Sequence, residues 1–248
     1  MTIKIPVLAI IQARAGSLRL PGKIFEFIGK KSVLGWVIER LKNSQLIDKI
    51  VVATSTNPLD DETELFLKSE DLSVFRGAEE DVLCRFAETL KAYPAENIVR
   101  ATADNPLLDT ATLDIMIKAH VNQKADHTSL SGILPLGSSA EVISAEALIE
   151  AQNGATMQNL REHVTPFIHS QPEKFKLLKV TPPSYLLGRT ERLTVDTEDD
   201  LKFMRAVYKA LDSEKCTFNA QNALNLLEKQ PELANINRHV RQREWTNQ

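Results

Sequence analysis

Short apolar runs alternate with longer amphipathic segments along the first half of the chain. Residues 7–11 are apolar without interruption, which is typical of a strand covered on both faces. Apolar residues then recur at helical spacing over 33–41, and the same succession of strand and helix repeats until residue 117. Four strand–helix units in about 120 residues predict an α/β fold, with a mostly parallel sheet and helices on both faces.

The pattern loosens beyond residue 125. Short β segments are predicted at 128–133, 141–144 and 175–181. Helices are predicted at 145–151, 157–170, 197–211, 219–229 and 231–243. We expect one domain over 1–212, with a small β-containing, substrate-facing part at about 126–190, and a helical C-terminal tail over 213–248. The apolar residues of the tail either cover their own subunit or form a contact in a homodimer, and both alternatives remain open.

Composition and charge exclude several classes of protein. The chain has 248 residues, 43% of them hydrophobic, and a formal net charge of −3, so a full core is expected and broad attraction to nucleic acid is not. No apolar run approaches the ~20 residues that cross a bilayer, and the first residues do not resemble a signal peptide, so we expect a cytoplasmic protein with no membrane partner. Two cysteines and five scattered histidines predict neither a disulfide framework nor a metal-ligand pair.

The segment after the first predicted strand carries the strongest chemical signal. Ligands of open α/β sheets bind outside the carboxyl ends of the strands, where residues 12–23 supply three cations, two glycines and a serine. Glycines let backbone N–H groups approach an anion, while Arg and Lys neutralise phosphate charge, so this segment favours a polyphosphate ligand. The P-loop pattern does not fit, because Gly16 and Gly22 enclose five residues and Ile24 follows Lys23. A solvated basic turn is the structural alternative.

Residues 10–17, running into 19–23, resemble the opening signature of the cytidylyltransferases that activate acidic sugars, the enzymes that make CMP-Kdo and CMP-sialic acids. The likeness is greatest to the spore coat polysaccharide biosynthesis protein F (SpsF) branch. It covers nearly the whole chain, through segments 75–83, 100–109, 161–166, 193–197 and 231–237. The resemblance implies a Rossmann-like sheet of the nucleotide-diphospho-sugar transferase type. It also implies transfer of CMP from CTP to an acidic sugar, a 2-keto sugar acid, with release of pyrophosphate. The product would serve the biosynthesis of a surface polysaccharide or glycan.

In the family, the first loop wraps the triphosphate of CTP. The resemblance therefore implies that Arg14 and Lys23 hold phosphate oxygens as catalytic residues. The implied nucleotide-binding residues are Ala13, Arg14, Gly16, Ser17, Arg19, Lys23, Gly77, Asp81 and Arg85. For Asp81, capping of the helix that begins there is an equal alternative.

Two aspartates match the family's metal ligands. Asp104 follows the fourth predicted strand and Asp196 precedes a predicted helix, and the resemblance implies that both hold Mg²⁺, which prefers hard oxygen ligands. The structural alternatives are a turn at Asp104 and a helix entrance at Asp196. Ala103 and Asn105 flank Asp104 where the branch commonly has glycine and cysteine, a departure that bears on the metal geometry and the fit of the base.

The acceptor side is implied less specifically. Arg161, His163 and Thr165 resemble the branch's substrate-facing segment, although a structural histidine is the alternative for His163. Glu141 is expected to reach the acceptor or the base. The stretch 136–141 lacks the branch's usual aspartate, which leaves the acceptor sugar open.

Two other functions are weighed against the cytidylyltransferase. A glycosyltransferase of the GT-A type, which consumes a nucleotide sugar, usually has an Asp-x-Asp motif after a strand. The only comparable pattern here, at 60–62, lies at a predicted helix start and disfavours that function. A protein that binds a nucleotide without chemistry stays open because of Ala103.

Overall fold

A computed structural model describes residues 5–17 and 19–242. The strands are β1 (Ile5–Gln12), β2 (Phe27–Ile28), β3 (Lys31–Ser32), β4 (Lys49–Ser55), β5 (Ser73–Gly77), β6 (Ala95–Thr102), β7 (His127–Leu130), β8 (Glu141–Ser144) and β9 (Leu177–Val180). The helices are α1 (Val33–Lys42), α2 (Asp61–Ser69), α3 (Val82–Ala92), α4 (Thr110–Gln123), α5 (Ala145–Gly154), α6 (Gln158–Glu162), α7 (Pro166–His169), α8 (Glu198–Ser213) and α9 (Ala220–Lys229).

Within the described residues, seven strands form one sheet in the order β5-β4-β1-β6-β8-β7-β9, and β2 pairs with β3 in a separate hairpin. The strands β5, β4, β1 and β6 are parallel to one another, whereas β8 runs antiparallel to both of its neighbours, β6 and β7. The carboxyl ends of the four parallel strands therefore lie at one edge, which is where a ligand is expected.

The uninterrupted apolar run of β1 serves two cores. Val7, Ala9 and Ile11 face a cluster that includes residues of α1, α2 and α4, while Leu8 and Ile10 face a second cluster with residues of α3 and α5. Alternate residues of a strand point to opposite faces, so a strand covered on both sides is apolar at every position. The predicted mostly parallel sheet with helices on both faces is confirmed.

A third apolar cluster joins α8 and α9 to the outer side of α1. Trp36 of α1 packs there with Phe203 of α8 and with Leu224 and Leu227 of α9, all four buried. The apolar residues of the tail are thus covered within their own chain. A homodimer stays a prediction. No helix in the described part of the chain combines the length and the apolar character that a membrane span needs.

Two predicted elements differ from the structure, and one observed element was not predicted. The helix predicted over 157–170 is two short helices, because Val164 has φ 69°, which breaks the helix, and Pro166 begins the next one. The segment predicted as helical over 231–243 forms only a 3-10 turn at Pro231–Ile236, and residue 243 lies outside the described residues. The β2–β3 hairpin is absent from the prediction because each strand has only two residues.

Candidate active site

A pocket of about 300 Å³ lies at the carboxyl ends of β1 and β6. The predicted site residues that line it are Arg14, Ser17, Arg19, Lys23, Asp104, His163 and Asp196. Ala103 lines it as well, between Thr102 and Asp104. The fold therefore brings together residues from the first loop, from the end of β6 and from the entrance of α8.

Lys23 occupies the centre of this arrangement. Its Nζ lies 2.7 Å from Oδ2 of Asp104 and 2.8 Å from Oδ1 of Asp196. Gly22 has φ 69° and ψ 9°, a left-handed conformation that suits glycine, and it leads directly into the 3-10 turn that begins at Lys23. Burial alone would lower the pKa of Lys23, but the charges of the two carboxylates and their hydrogen bonds raise it above its ordinary value. The lysine is therefore a fixed ammonium at neutral pH.

Asp196 is held by three cations. Besides Lys23, Arg19 lies 3.1 Å from its Oδ1 and Arg192 lies 2.6 Å from its Oδ2. Burial would raise the pKa of Asp196, but the charges of Lys23, Arg19 and Arg192 lower it below its usual value. The carboxylate is therefore ionised and aimed at the pocket.

The structural alternatives were a helix cap for Asp196 and a turn for Asp104, and the structure shows only the turn. The N-cap of α8 is Thr197, which forms a capping box with Asp200, so Asp196 itself does not cap the helix. Asp104 does lie in a turn, and its backbone oxygen accepts from the N–H of Val195 at 2.9 Å. That bond places the segment of Asp196 beside the end of β6, which is why carboxylates so distant in sequence meet at one lysine.

Residues behind Asp196 support its position, and sequence reasoning did not single them out. Arg192 donates from Nε to Oδ1 of the fully buried Asp200 at 2.8 Å. Asn237 donates from Nδ2 to the backbone oxygen of Arg192 and to Asp200, both at 3.0 Å. Asn237 belongs to the 231–237 segment that resembles the SpsF branch, which is the one signal that marked it.

The first loop is anchored by Asp60, another residue that sequence reasoning assigned only to a helix start. The buried Asp60 carboxylate accepts from the backbone N–H of Ala15 at 2.7 Å and of Ser55 at 3.1 Å, and it also bonds the Ser55 hydroxyl. The backbone N–H of Ala13 donates to the backbone oxygen of Ala53 in β4 at 3.1 Å, so it is already engaged in a hydrogen bond. The anchored loop exposes Arg14 and Gly16, and a Cβ at Gly16 would meet no atom of the described residues within 4 Å.

Gly77, Asp81 and Arg85 do not line the pocket. Asp81 accepts from the N–H of Cys84 at 2.9 Å and so caps α3, the alternative role weighed for it. Arg85 is fully buried, donates to the backbone oxygens of Ala78 and Glu79, and has a pKa lowered by burial. A nucleotide-binding role for these three residues stays a prediction.

The predicted acceptor residues divide between two surroundings. His163 lines the pocket beside Glu162, and burial lowers the pKa of its imidazole. Arg161 instead donates to Asp81 at 2.7 Å and to the backbone oxygen of Ala155 at 2.6 Å, so its guanidinium is engaged in joining α6 to α3.

Glu141 and Thr165 meet in a second polar cluster beyond Arg100. Oε2 of Glu141 lies 2.7 Å from Nη1 of Arg100 and 3.2 Å from Oγ1 of Thr165. The other Nη of Arg100 donates to the side chain of Gln12 at 3.3 Å, and Gln12 lines the pocket. A single arginine thus separates this cluster from the predicted nucleotide.

The prediction that the histidines offer no ligand pair is wrong. His127 and His169 bring their Nε2 atoms within 3.1 Å of each other, next to Oε1 of Glu141. One lies on β7 and the other on α7, so they are too far apart in sequence for a local motif to predict that they meet. Burial and the neighbouring His127 lower the pKa of His169 to about 4, against the opposing effect of Glu141.

A sequence profile of the family described as Cytidylyltransferase matches residues 8–236. The chain belongs to the cytidylyltransferase family. The spore coat polysaccharide biosynthesis protein SpsF of Bacillus subtilis (strain 168) is similar to this cytidylyltransferase, at 35% identity over 92% of this chain and 96% of SpsF. The predicted family and the nucleotidyltransferase class are confirmed.

Solved structures agree with that assignment. A cytidylyltransferase from Leptospira borgpetersenii serovar Hardjo-bovis (strain JB197) has a TM-score of 0.83 at 29% identity, over 93% of this chain and 97% of that one. A CMP:2-keto-3-deoxy-manno-octonic acid synthetase complexed with CTP has a TM-score of 0.64 at 15% identity, over 83% and 99% of the two chains. At such identity the second likeness shows a shared fold, which is the expected Rossmann-like type.

Proposed function

We propose that this cytidylyltransferase transfers CMP from CTP to an acidic sugar, a 2-keto sugar acid, and releases pyrophosphate. The bond that forms joins a sugar hydroxyl oxygen to the α-phosphorus. The bond that breaks joins that phosphorus to the oxygen shared with the β-phosphate, which leaves as a terminal oxygen of pyrophosphate, and the hydroxyl proton passes to water. The observation that carries the proposal is the Lys23–Asp104–Asp196 arrangement in a pocket at the carboxyl edge of the sheet. The similarity to SpsF supports a product used in surface polysaccharide.

The charge of the pocket suits a nucleoside triphosphate. Arg14, Arg19 and Lys23 reach it from one loop, and the anchoring of that loop by Asp60 fixes their backbone before the substrate arrives. Phosphoryl and nucleotidyl transfer depend mainly on positioning and on neutralising charge, which preformed cations supply without reorganisation. The synthetase complexed with CTP shares this fold, which further supports CTP as the nucleotide.

The chemistry of Asp104 and Asp196 fits Mg²⁺, whose ligands are carboxylate, phosphate and water oxygens. Both carboxylates contact one ammonium, so their oxygens converge on a position that already favours a cation. Mg²⁺, when bound with the nucleotide, neutralises phosphate charge there. In this proposal Lys23 exchanges the carboxylates for phosphate oxygens when CTP enters, while Arg192 keeps Asp196 in place.

The two competing functions receive less support. The acidic pattern at 60–62 that a glycosyltransferase would need begins with Asp60, whose carboxylate is consumed in holding the first loop. A protein that binds a nucleotide without chemistry is favoured only by Ala103, whose methyl group stands where the SpsF branch commonly has glycine. That methyl is nearly buried, while the carboxylate of Asp104 beside it remains directed to Lys23.

Pyrophosphate release tests the proposal. The purified chain would be incubated with Mg²⁺ and each of CTP, UTP, ATP and GTP against Kdo, sialic-type nonulosonates and neutral sugars as controls. We expect release with CTP and an acidic acceptor, and a CMP-sugar product by mass. Binding of CTP without pyrophosphate release on any acceptor would identify a binding protein, and release with neutral sugars alone would overturn the acidic acceptor.

A further inference from the structure

Three ligand-type atoms converge outside the pocket, at the end of the second polar cluster. Nε2 of His127 lies 3.0 Å from Oε1 of Glu141, and Nε2 of His169 lies 3.1 Å from Nε2 of His127 and 3.5 Å from the same carboxylate oxygen. The three atoms form a nearly equilateral triangle. Borderline divalent metals such as Zn²⁺ bind both imidazole nitrogen and carboxylate oxygen.

The sheet register explains why these side chains meet. Glu141 on β8 pairs directly with Arg100 on β6, and Ile143, two residues further on, pairs with His127 on β7. Residues two apart on a strand face the same side, so Glu141 and His127 project from one face of the sheet. The short helix α7 lies over that face and supplies His169.

Hydrogen bonds alone leave this triangle poorly satisfied. A neutral imidazole nitrogen is either a donor or an acceptor, so Nε2 of His127 cannot donate to Glu141 and also accept from His169. In a tetrahedral site with metal–ligand distances near 2.1 Å, neighbouring ligand atoms lie about 3.4 Å apart. The observed separations of 3.0, 3.1 and 3.5 Å surround that value. A single cation inside the triangle would satisfy all three lone pairs.

The surroundings complete such a site. Arg100 and Thr165 both contact Oε2 of Glu141, which fixes the carboxylate and leaves Oε1 for the metal. Outer contacts of this kind orient metal ligands. The His127 side chain is 2% exposed and that of His169 is 37% exposed, so solvent reaches the site from the side of α7 and can supply a fourth ligand.

We propose that His127, Glu141 and His169 bind a divalent transition-metal ion of the Zn²⁺ class, separate from any Mg²⁺ at Asp104 and Asp196. The ion joins α7 to β7 and β8. It thereby orders the segment 158–169, which also carries Glu162 and His163 of the pocket wall. This proposal does not depend on the sugar-nucleotide chemistry, because its test measures bound metal.

The test is zinc stoichiometry of the full chain. The protein would be stripped with chelator, dialysed against limiting Zn²⁺ in excess Mg²⁺, and analysed for bound zinc. We expect close to one zinc per chain. In His169→Gln, which replaces a partly exposed side chain, we expect at least about a tenfold loss of affinity, since even outer-contact changes cost that much. Substitution by Co²⁺ would give a visible absorption band with imidazole ligands that the variant lacks.

Two variants serve as controls. His239→Gln removes an exposed histidine that pairs with Asp199 and is expected to retain the zinc. Asp104→Asn changes the pocket and is expected to retain it as well, which separates the two metal sites. No zinc on the unaltered chain, or equal affinity in His169→Gln and His239→Gln, would overturn the site. Loss of zinc in Asp104→Asn would overturn the inference that the zinc site is independent of the pocket.

Discussion

At the scale of single residues, Lys23 determines both the charge of the pocket and access to its carboxylates. Its ammonium is the common partner of Asp104 and Asp196, and it is nearly buried between them. In Lys23→Ala we expect CMP transfer to fall by at least about 100-fold, because removing one preorganised cation from a developing phosphate charge costs that much. The measurement is pyrophosphate release at saturating CTP.

The same substitution also tests the metal ligands without any turnover. With the ammonium gone, the two carboxylates face each other with less compensation, so Mg²⁺ should raise the melting temperature of Lys23→Ala more than that of the unaltered chain. Lys23→Ala combined with Asp104→Asn should lose this extra shift. Lys30→Ala, at an exposed position, is the matched control for both readouts. Equal Mg²⁺ shifts in all four proteins would count against Asp104 and Asp196 as ligands.

At the scale of elements, the first loop depends on an acceptor contributed from outside it. Asp60 precedes α2 and receives the N–H of Ala15, so the turn after β4 holds the loop after β1. In Asp60→Asn an amide NH₂ group replaces one carboxylate oxygen. This group is a hydrogen-bond donor, and it would face a backbone N–H that is also a donor. We expect a higher KM for CTP and a loss of about 1–3 kcal/mol in the free energy of unfolding.

Asp61→Asn is the control for that loop prediction. Its carboxylate is exposed and pairs with Arg76 at the surface, so little change in KM or stability is expected. Steady-state kinetics with varied CTP and urea unfolding measure the two effects. An unchanged KM in Asp60→Asn would show that the loop keeps its conformation without this anchor.

Elements whose signals are local were predictable, and long-range contacts were not. The run 7–11 predicted β1 because both of its faces are covered, and the helical spacing of apolar residues over 33–41 predicted α1. The helix over 157–170 failed at Val164, whose positive φ has no marker in the apolar pattern. The pocket residues came from family resemblance. Their meeting depends on contacts such as Lys23 with Asp196, 173 residues apart, which no periodicity encodes.

At the scale of the whole molecule, the packing of α4 on the sheet makes stability depend on pH through His120. This side chain is 1% exposed, its Nδ1 bonds the Thr128 hydroxyl at 2.8 Å, and its buried Nε2 has no partner among the described residues. Burial, and then the charge of His127, lower the pKa of His120 to about 4, although Asp126 opposes the shift. The folded chain therefore keeps this imidazole neutral where the unfolded chain protonates it.

The sign of the pH effect follows from that difference. Between pH 6.5 and about 4 the unfolded state binds the proton and the folded state does not, so stability present above pH 6.5 is lost as pH falls, by at most about 1.4 kcal/mol per unit for this group. The pKa values of Asp196 and Glu141 are lowered below the ordinary carboxyl range by the neighbouring cations and hydrogen-bond donors, so the stability they contribute is lost only at lower pH. Between pH 6.5 and 5 the slope of urea-measured stability therefore comes from the histidines whose pKa is lowered in the fold, which include His163 and His169 besides His120, and the share of His120 is read from the difference between variants. We expect His120→Gln to flatten the slope and His239→Gln to preserve it, whereas identical slopes in the two variants would assign the acid sensitivity to another group.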